Sequence, residues 1–209
     1  LIDDHAIYAI PVPAPSSSQK GERRRPTHKA HGCVHTSQAS SDVRKENVDS
    51  GPRGHDEQEL RMTPITIREL TSADHAAWCR MRRLLWPGET TNSHYSAIDE
   101  IIDGKDAWGF IAETPDNEPL GFAEISIRKA ANGCESQPVP FLEGIWVEPR
   151  SRRGRVGERL IAHIETFLKA RGFRELGSDS LIENQIAHDA HARWGFSETE
   201  RVVYFRKPL

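Results

Sequence analysis

Residues 139–168 read without interruption as a buried strand, a tight basic turn and an amphipathic helix. "VPFLEGIWVEP" (139–149) is the longest candidate for a buried strand and stops at Pro149. "RRGRVG" (152–157) turns the chain, and Leu160, Ile161, Ile164, Phe167 and Leu168 then recur on one helix face until Gly172 closes it. The turn and the first helical residues leave several N–H groups unpaired at the positive end of the helix dipole, an arrangement that binds a diphosphate. Gly154 and Gly157 admit close backbone approach, while Arg152, Arg153 and Arg155 add charge and donors. No Lys-[Ser/Thr] pair follows the glycines, so this is not a P-loop. The G-x-G-x-x-G dinucleotide fingerprint is absent as well. An ordinary solvated basic turn is the plainer alternative.

The rest of the chain divides near Met62. Residues 1–61 are rich in Pro, Ser, His, Arg and Gly and show almost no apolar periodicity. Such a segment buries too little apolar surface to offset about 1–2 kcal/mol of backbone entropy per residue, so disorder is expected there. Met62 directly precedes the first strand-like run and is a candidate native start, with residues 1–61 as a disordered or non-native extension and 62–209 as one domain. In that domain "ITIREL" (65–70) reads as a strand. Thr71 and Asp74 form a capping box for a helix carrying Ala77, Trp78, Met81 and Leu85, stopped at Pro87-Gly88. A second helix covers Ser96–Asp103, and "WGFIAE" and "PLGFAEISIR" are two strands around "TPDNEP". "FRELGSDS" is a further strand, "ENQIAHDAHARWGF" a helix, and "SETERVVYFRK" a final strand or hairpin. Strands and helices mixed in this order predict an α+β, three-layer (α/β) domain.

Composition excludes several classes of function. The chain has no run near the roughly 18 apolar residues of a membrane span, and the apolar start lacks a basic n-region, so neither a membrane protein nor a secretory signal is expected. The three cysteines (Cys33, Cys79, Cys134) are odd in number and widely spaced, which fits neither a disulfide framework nor a zinc site and suggests a cytoplasmic setting. Acidic and basic residues balance in 1–61, so the net charge of −3 falls in 62–209 and argues against nucleic acid as a partner.

The strand, its V-x-P end and the turn resemble the acetyl-CoA segment of the GNAT N-acetyltransferases, whose usual pattern is [Q/R]-x-x-G-x-[G/A]. With Arg152 first and Gly157 last, Arg155 stands at the middle glycine and Gly154 falls one residue early, a departure that bears on the loop's dihedrals. "LWPGE" (85–89), "NGCESQPVPFLEGIWVEP" (132–149), "ELGSDS" (175–180) and "GFSETERVVYFRK" (195–207) together resemble the aminoglycoside 6′-N-acetyltransferases, over essentially all of 62–209.

The resemblance implies the GNAT acyl-CoA N-acyltransferase fold, a mixed central sheet with helices on both faces, and acetyl-CoA as co-substrate with no metal. It implies that Ile145, Trp146 and Val147 offer backbone groups to the pantetheine arm and thioester. Arg152, Arg153, Gly154, Arg155, Val156, Gly157 and Glu158 would hold the pyrophosphate, and Asn184 would touch the cofactor. Trp86, Glu143, Asp179 and Glu200 fall at positions lining the aminoglycoside pocket, and a homodimer is implied. The residue types suit the chemistry, because a polycationic, hydroxyl-rich substrate needs several carboxylates and one flat apolar wall. A protonated amine cannot attack a thioester, and with an amine pKa near that of Lys, about 10.4, a carboxylate must accept its proton. Glu143 and Asp179 are joint candidates for that base, unranked by sequence. Where related enzymes often carry a Tyr to protonate the leaving thiolate, this chain has His191. The rival readings are a GNAT enzyme for polyamine or peptide amines and a non-catalytic acyl-CoA sensor.

Overall fold

The computed structural model describes residues 64–209, so the expectation of disorder in 1–61 lies outside the described residues. Five strands lie in sequence order across one sheet: β1 (Thr66–Glu69), β2 (Ala107–Glu113), β3 (Pro119–Arg128), β4 (Val139–Val147) and β5 (Gly177–Ser178). The first three pairings are antiparallel and β4–β5 is parallel. Helices α1 (His75–Leu85) and α2 (Thr91–Asp103) precede β2, α3 (Val156–Lys169) follows β4, and α4 (Gln185–Arg193) follows β5. Among the described residues no helix is long and apolar enough to cross a membrane.

The two cores follow from strand alternation. Phe110, Ala123, Leu142, Ile145 and Val147 pack with Val156, Leu160, Ile161, Ile164 and Leu168 of α3. Their neighbours Ile111, Phe122 and Trp146 meet Trp78, Met81, Leu85 and Ile98 of α1 and α2 on the other face. The result is the three-layer α+β arrangement expected from the sequence. The Thr71–Asp74 capping box forms, but it caps a short 3-10 turn (Ser72–Asp74) that runs into α1. Helix α2 begins one turn earlier than its apolar pattern, because the Thr90 hydroxyl accepts from the Ser93 N–H at 3.1 Å.

Two expectations about strands fail. The "FRELGSDS" strand contracts to Gly177–Ser178, which pair only with Phe141 and Leu142. Beyond Leu142, strand β4 bulges: Gly144 pairs with Glu124 and Leu142 with Ile125, leaving Glu143 as the extra residue. A bulge bends its strand and ends regular pairing on the far side. The final strand in "SETERVVYFRK" does not form either. Residues 197–209 hold no regular structure, and Val203 and Phe205 are 77% and 92% exposed. A strand exists only against a partner edge, and this segment has none among the described residues.

Candidate active site

Pairing of β4 with β5 stops at Leu142 and Ser178, directly before the bulge at Glu143. From Glu143 to Val147 the edge of β4 that faces away from β3 has no strand partner among the described residues, and of its outward groups Val147 O accepts from Arg152 Nε at 3.2 Å. Ile145, Trp146 and Val147 are themselves buried, which leaves only their backbone to offer. Glu148 N–H is tied to Leu120 O at 2.8 Å, fixing where the strand ends.

The loop after β4 is a 3-10 turn, Pro149–Gly154, that hands over to α3 through Arg155 at φ 59° and ψ 22°. A right-handed stretch followed by one left-handed residue directs successive N–H groups into a concavity suited to an anion. The left-handed region favours glycine, which explains the usual glycine at this place, and Arg155 occupies it nonetheless. Its side chain turns to solvent and donates to Glu158, Nε to Oε2 at 2.7 Å. The loop geometry therefore survives the unusual residue. Arg152 reaches back to Val147 O at 3.2 Å and binds the loop to the strand end. Val156 is buried beneath the loop, and Gly157 is set by packing as much as by the loop, since a Cβ there would stand 2.8 Å from Trp194 Cζ2.

On the face toward α1, a polar seam crosses the sheet. Glu124, Ser126 and Arg128 alternate along β3. Glu124 is buried and accepts from Trp78 Nε1 at 2.5 Å and from Arg82. The Arg82 guanidinium in turn lies 4.6 Å from the Trp86 ring centroid. Trp86 ends α1, meets Phe122 edge-on and lies against Gly144, where a Cβ would stand 2.5 Å from its ring. The predicted flat wall thus rests on the backbone of the bulge.

Further along the seam, Glu143 accepts from Ser126 Oγ at 2.5 Å and from Arg128 through Nε at 2.9 Å and Nη2 at 2.6 Å. The same guanidinium lies 3.4 Å from the Phe141 ring centroid. Asp179 follows β5 within electrostatic reach of Arg128, Glu143 and His191. Its Oδ1 is buried with no hydrogen-bond partner among the described residues. Burial pushes the Asp179 carboxyl above its usual pKa, and the charge of Arg128 partly offsets this.

His191 has a different place from the one its sequence position suggests. Its Nδ1 lies 2.7 Å from Ala187 O, which can only accept, so that nitrogen carries the proton. Nε2 then accepts from Ser178 Oγ at 2.8 Å. Burial lowers its pKa, and its ring packs against Trp194 and Phe196. Both nitrogens are engaged and the ring is neutral, so the structure makes His191 a brace between α4 and β5. Asn184 caps α4, its Oδ1 accepting from the Ala187 N–H at 3.0 Å. Glu200 is exposed on the C-terminal segment, and no hydrogen bond or ion pair among the described residues joins it to Glu143 or Asp179. No group of three or more potential metal ligands occurs among the described residues.

The sheet order, with β4 followed by a 3-10 turn and an amphipathic helix, is that of an acyl-CoA N-acyltransferase, and a family model described as Acetyltransferase (GNAT) family matches residues 76–196; the chain belongs to that family. Two relatives are both called aminoglycoside N(6′)-acetyltransferase type 1. The one from Stenotrophomonas maltophilia is 45% identical over 145 residues, covering 69% of this chain and 94% of its own length. That from Klebsiella aerogenes is 43% identical over 146 residues, covering 68% and 96%. Among solved structures, AAC(6′)-Iy in complex with the bisubstrate analogue CoA-S-monomethyl-acetylneamine superimposes with a TM-score of 0.67 at 38% identity, covering 70% of this chain and all of that one. AAC(6′)-Ih from Acinetobacter baumannii gives 0.66 at 34% identity, covering 70% and 99%.

Proposed function

We propose that this chain transfers the acetyl group of acetyl-CoA to the 6′-amino group of aminoglycosides, by direct attack of the amine in a ternary complex, and so confers resistance to them. The observation that carries the reading is Asp179: a half-buried carboxylate directly after β5, with one buried oxygen that has no hydrogen-bond partner among the described residues. A buried polar atom of that kind is destabilising unless something arrives to satisfy it, and a substrate ammonium would do so. The relatives' names and the bisubstrate complex support an aminoglycoside as the source of that ammonium.

Each part of the site then has a task. The turn from Arg152 through Glu158 fits a pyrophosphate, because its left-handed residue and the start of α3 aim N–H groups into one concavity. Bound acetyl-CoA supplies an activated thioester. The free N–H groups of β4 between Ile145 and Val147 hold the carbonyl oxygen as negative charge grows on it, a contribution of about 2.7–4 kcal/mol for a donor of this type. Asp179 binds the ammonium and takes its proton as the amine attacks, while Glu143 and Arg128 frame the pocket. Trp86 supplies the apolar wall, Asn184 stands at the start of α4 beside the cofactor arm, and Glu200 adds a carboxylate at the rim. With His191 neutral and fully bonded, the thiolate leaves without a protein acid. The exposed run Val202–Phe205 supports a homodimer in which a second copy covers it.

Thiol release from acetyl-CoA with kanamycin, spermidine and a peptide amine as acceptors tests this reading. Release with kanamycin is expected, and Asp179→Asn should lower kcat by about a hundredfold or more. Release with spermidine or peptide but not kanamycin would overturn the substrate assignment.

A further inference from the structure

The pocket read as a polycation site already contains a cation. Arg128, the last residue of β3, is held to the Glu143 carboxylate by two hydrogen bonds and lies over the Phe141 ring. An Arg fixed on both surfaces is not a mobile surface charge. Phe141 keeps that place because the neighbour across the ladder is Gly177, where a Cβ would stand 2.8 Å from the Phe141 ring. Glu143 is thus neutralised from within, its Oε1 also receiving Ser126, while Asp179 keeps an unpartnered oxygen.

We infer that Arg128 is a positioning residue that divides the labour of the two carboxylates: by pairing with Glu143 across the β4 bulge it withdraws Glu143 from proton transfer and keeps the neighbouring Asp179 ionised to receive the substrate amine. The inference rests on the reading of Asp179 as the base and adds to it the reason that Glu143 is not. Three charged or titratable groups face Asp179: Arg128 from β3, Glu143 from β4 and His191 from α4. Burial holds the His191 pKa below its usual value, and in Asp179's surroundings its contribution ranks after those of Arg128 and Glu143, so the balance between that pair dominates the charge Asp179 feels. Removing Arg128 takes away a cation and exposes the Glu143 charge, and both effects favour the protonated, inactive form of Asp179. Removing the Glu143 charge does the reverse.

The test is the pH dependence of kcat/KM for kanamycin with saturating acetyl-CoA. In Arg128→Gln the acid limb should move up by about one pH unit. Arg128→Lys, which keeps the charge, should leave it in place. Glu143→Gln should move it down and lower kcat at the optimum by less than tenfold, far less than Asp179→Asn. The double variant Arg128→Gln/Glu143→Gln should return the limb to within about half a unit of wild type. A slow Asp179→Asn together with wild-type acid limbs in Arg128→Gln and Glu143→Gln would overturn the role of Arg128 alone. Wild-type turnover in Asp179→Asn would overturn the underlying assignment of the base. If Arg128→Gln fails to fold, the downward shift in Glu143→Gln carries the test, and its absence sinks the inference.

Discussion

The polar seam has two ends, and the contrast between them separates structural charge from chemical charge. At the inner end, Glu124 gives one oxygen to Trp78 and the other to Arg82, and that guanidinium lies over Trp86. At the outer end, Asp179 is half-buried, and its buried Oδ1 has no hydrogen-bond partner among the described residues. Both carboxylates lose hydration, the inner one more completely. Only the inner one recovers it in hydrogen bonds, and burying an ionised group without such recovery destabilises a fold. The inner end holds helix α1 to the sheet and supports Trp86; the outer end leaves an acceptor unsatisfied.

The largest effect should come from breaking the inner end. Glu124→Gln leaves the Arg82 charge buried and unpaired, which should lower stability by about 3–5 kcal/mol. In thermal unfolding that is a loss of roughly 10 °C, and a Tm within about 2 °C of wild type would erase the distinction between the two ends. The outer end should respond in the opposite sense. Because burial raises the Asp179 pKa, its protonated form favours folding below the unfolded value of about 3.9, and that contribution disappears as pH rises through the folded value. Asp179→Asn should therefore raise Tm at pH 8 and leave it unchanged near pH 3, even as activity falls. A lower Tm at pH 8 would mean that Asp179 is a structural anion after all. The smallest effect concerns a charge pair with no burial at all. Arg155→Gly removes the exposed bonds to Glu158 but relaxes a left-handed backbone, so Tm should rise by about 2 °C with acetyl-CoA affinity unchanged. Clear loss of affinity by calorimetry would show that the guanidinium leaves Glu158 for the phosphates.

Much of this was legible in the residues. The capping box at Thr71 and Asp74, the β2–β3 hairpin, the long β4 and the stripe of α3 are local patterns, and local patterns survive into structure. The carboxylates Glu143 and Asp179 were found by their match to a family, and the fold brings them together around Arg128. Arg128 itself was missed, although the alternation Glu124, Ser126, Arg128 on one face of a strand was visible as a polar seam in an otherwise apolar element. Pairing was harder to read. Strand propensity in 173–180 and 197–207 says nothing about whether an edge is there to receive it, and the pairing of β4 with β5 ends after two residues, at the bulge. The tautomer of His191 was beyond sequence because it depends on which carbonyl α4 turns toward the ring.

Gly157 shows how the site restricts the gene that encodes it. A Cβ at this residue would stand 2.8 Å from Trp194 Cζ2, so every replacement drives a side chain into the indole. Arg155 shows that position 155 accommodates a long side chain, since it escapes outward. Variation in this loop thus has one open door and one closed one: a substitution at 155 meets solvent, while one at 157 meets a tryptophan from the far end of α4.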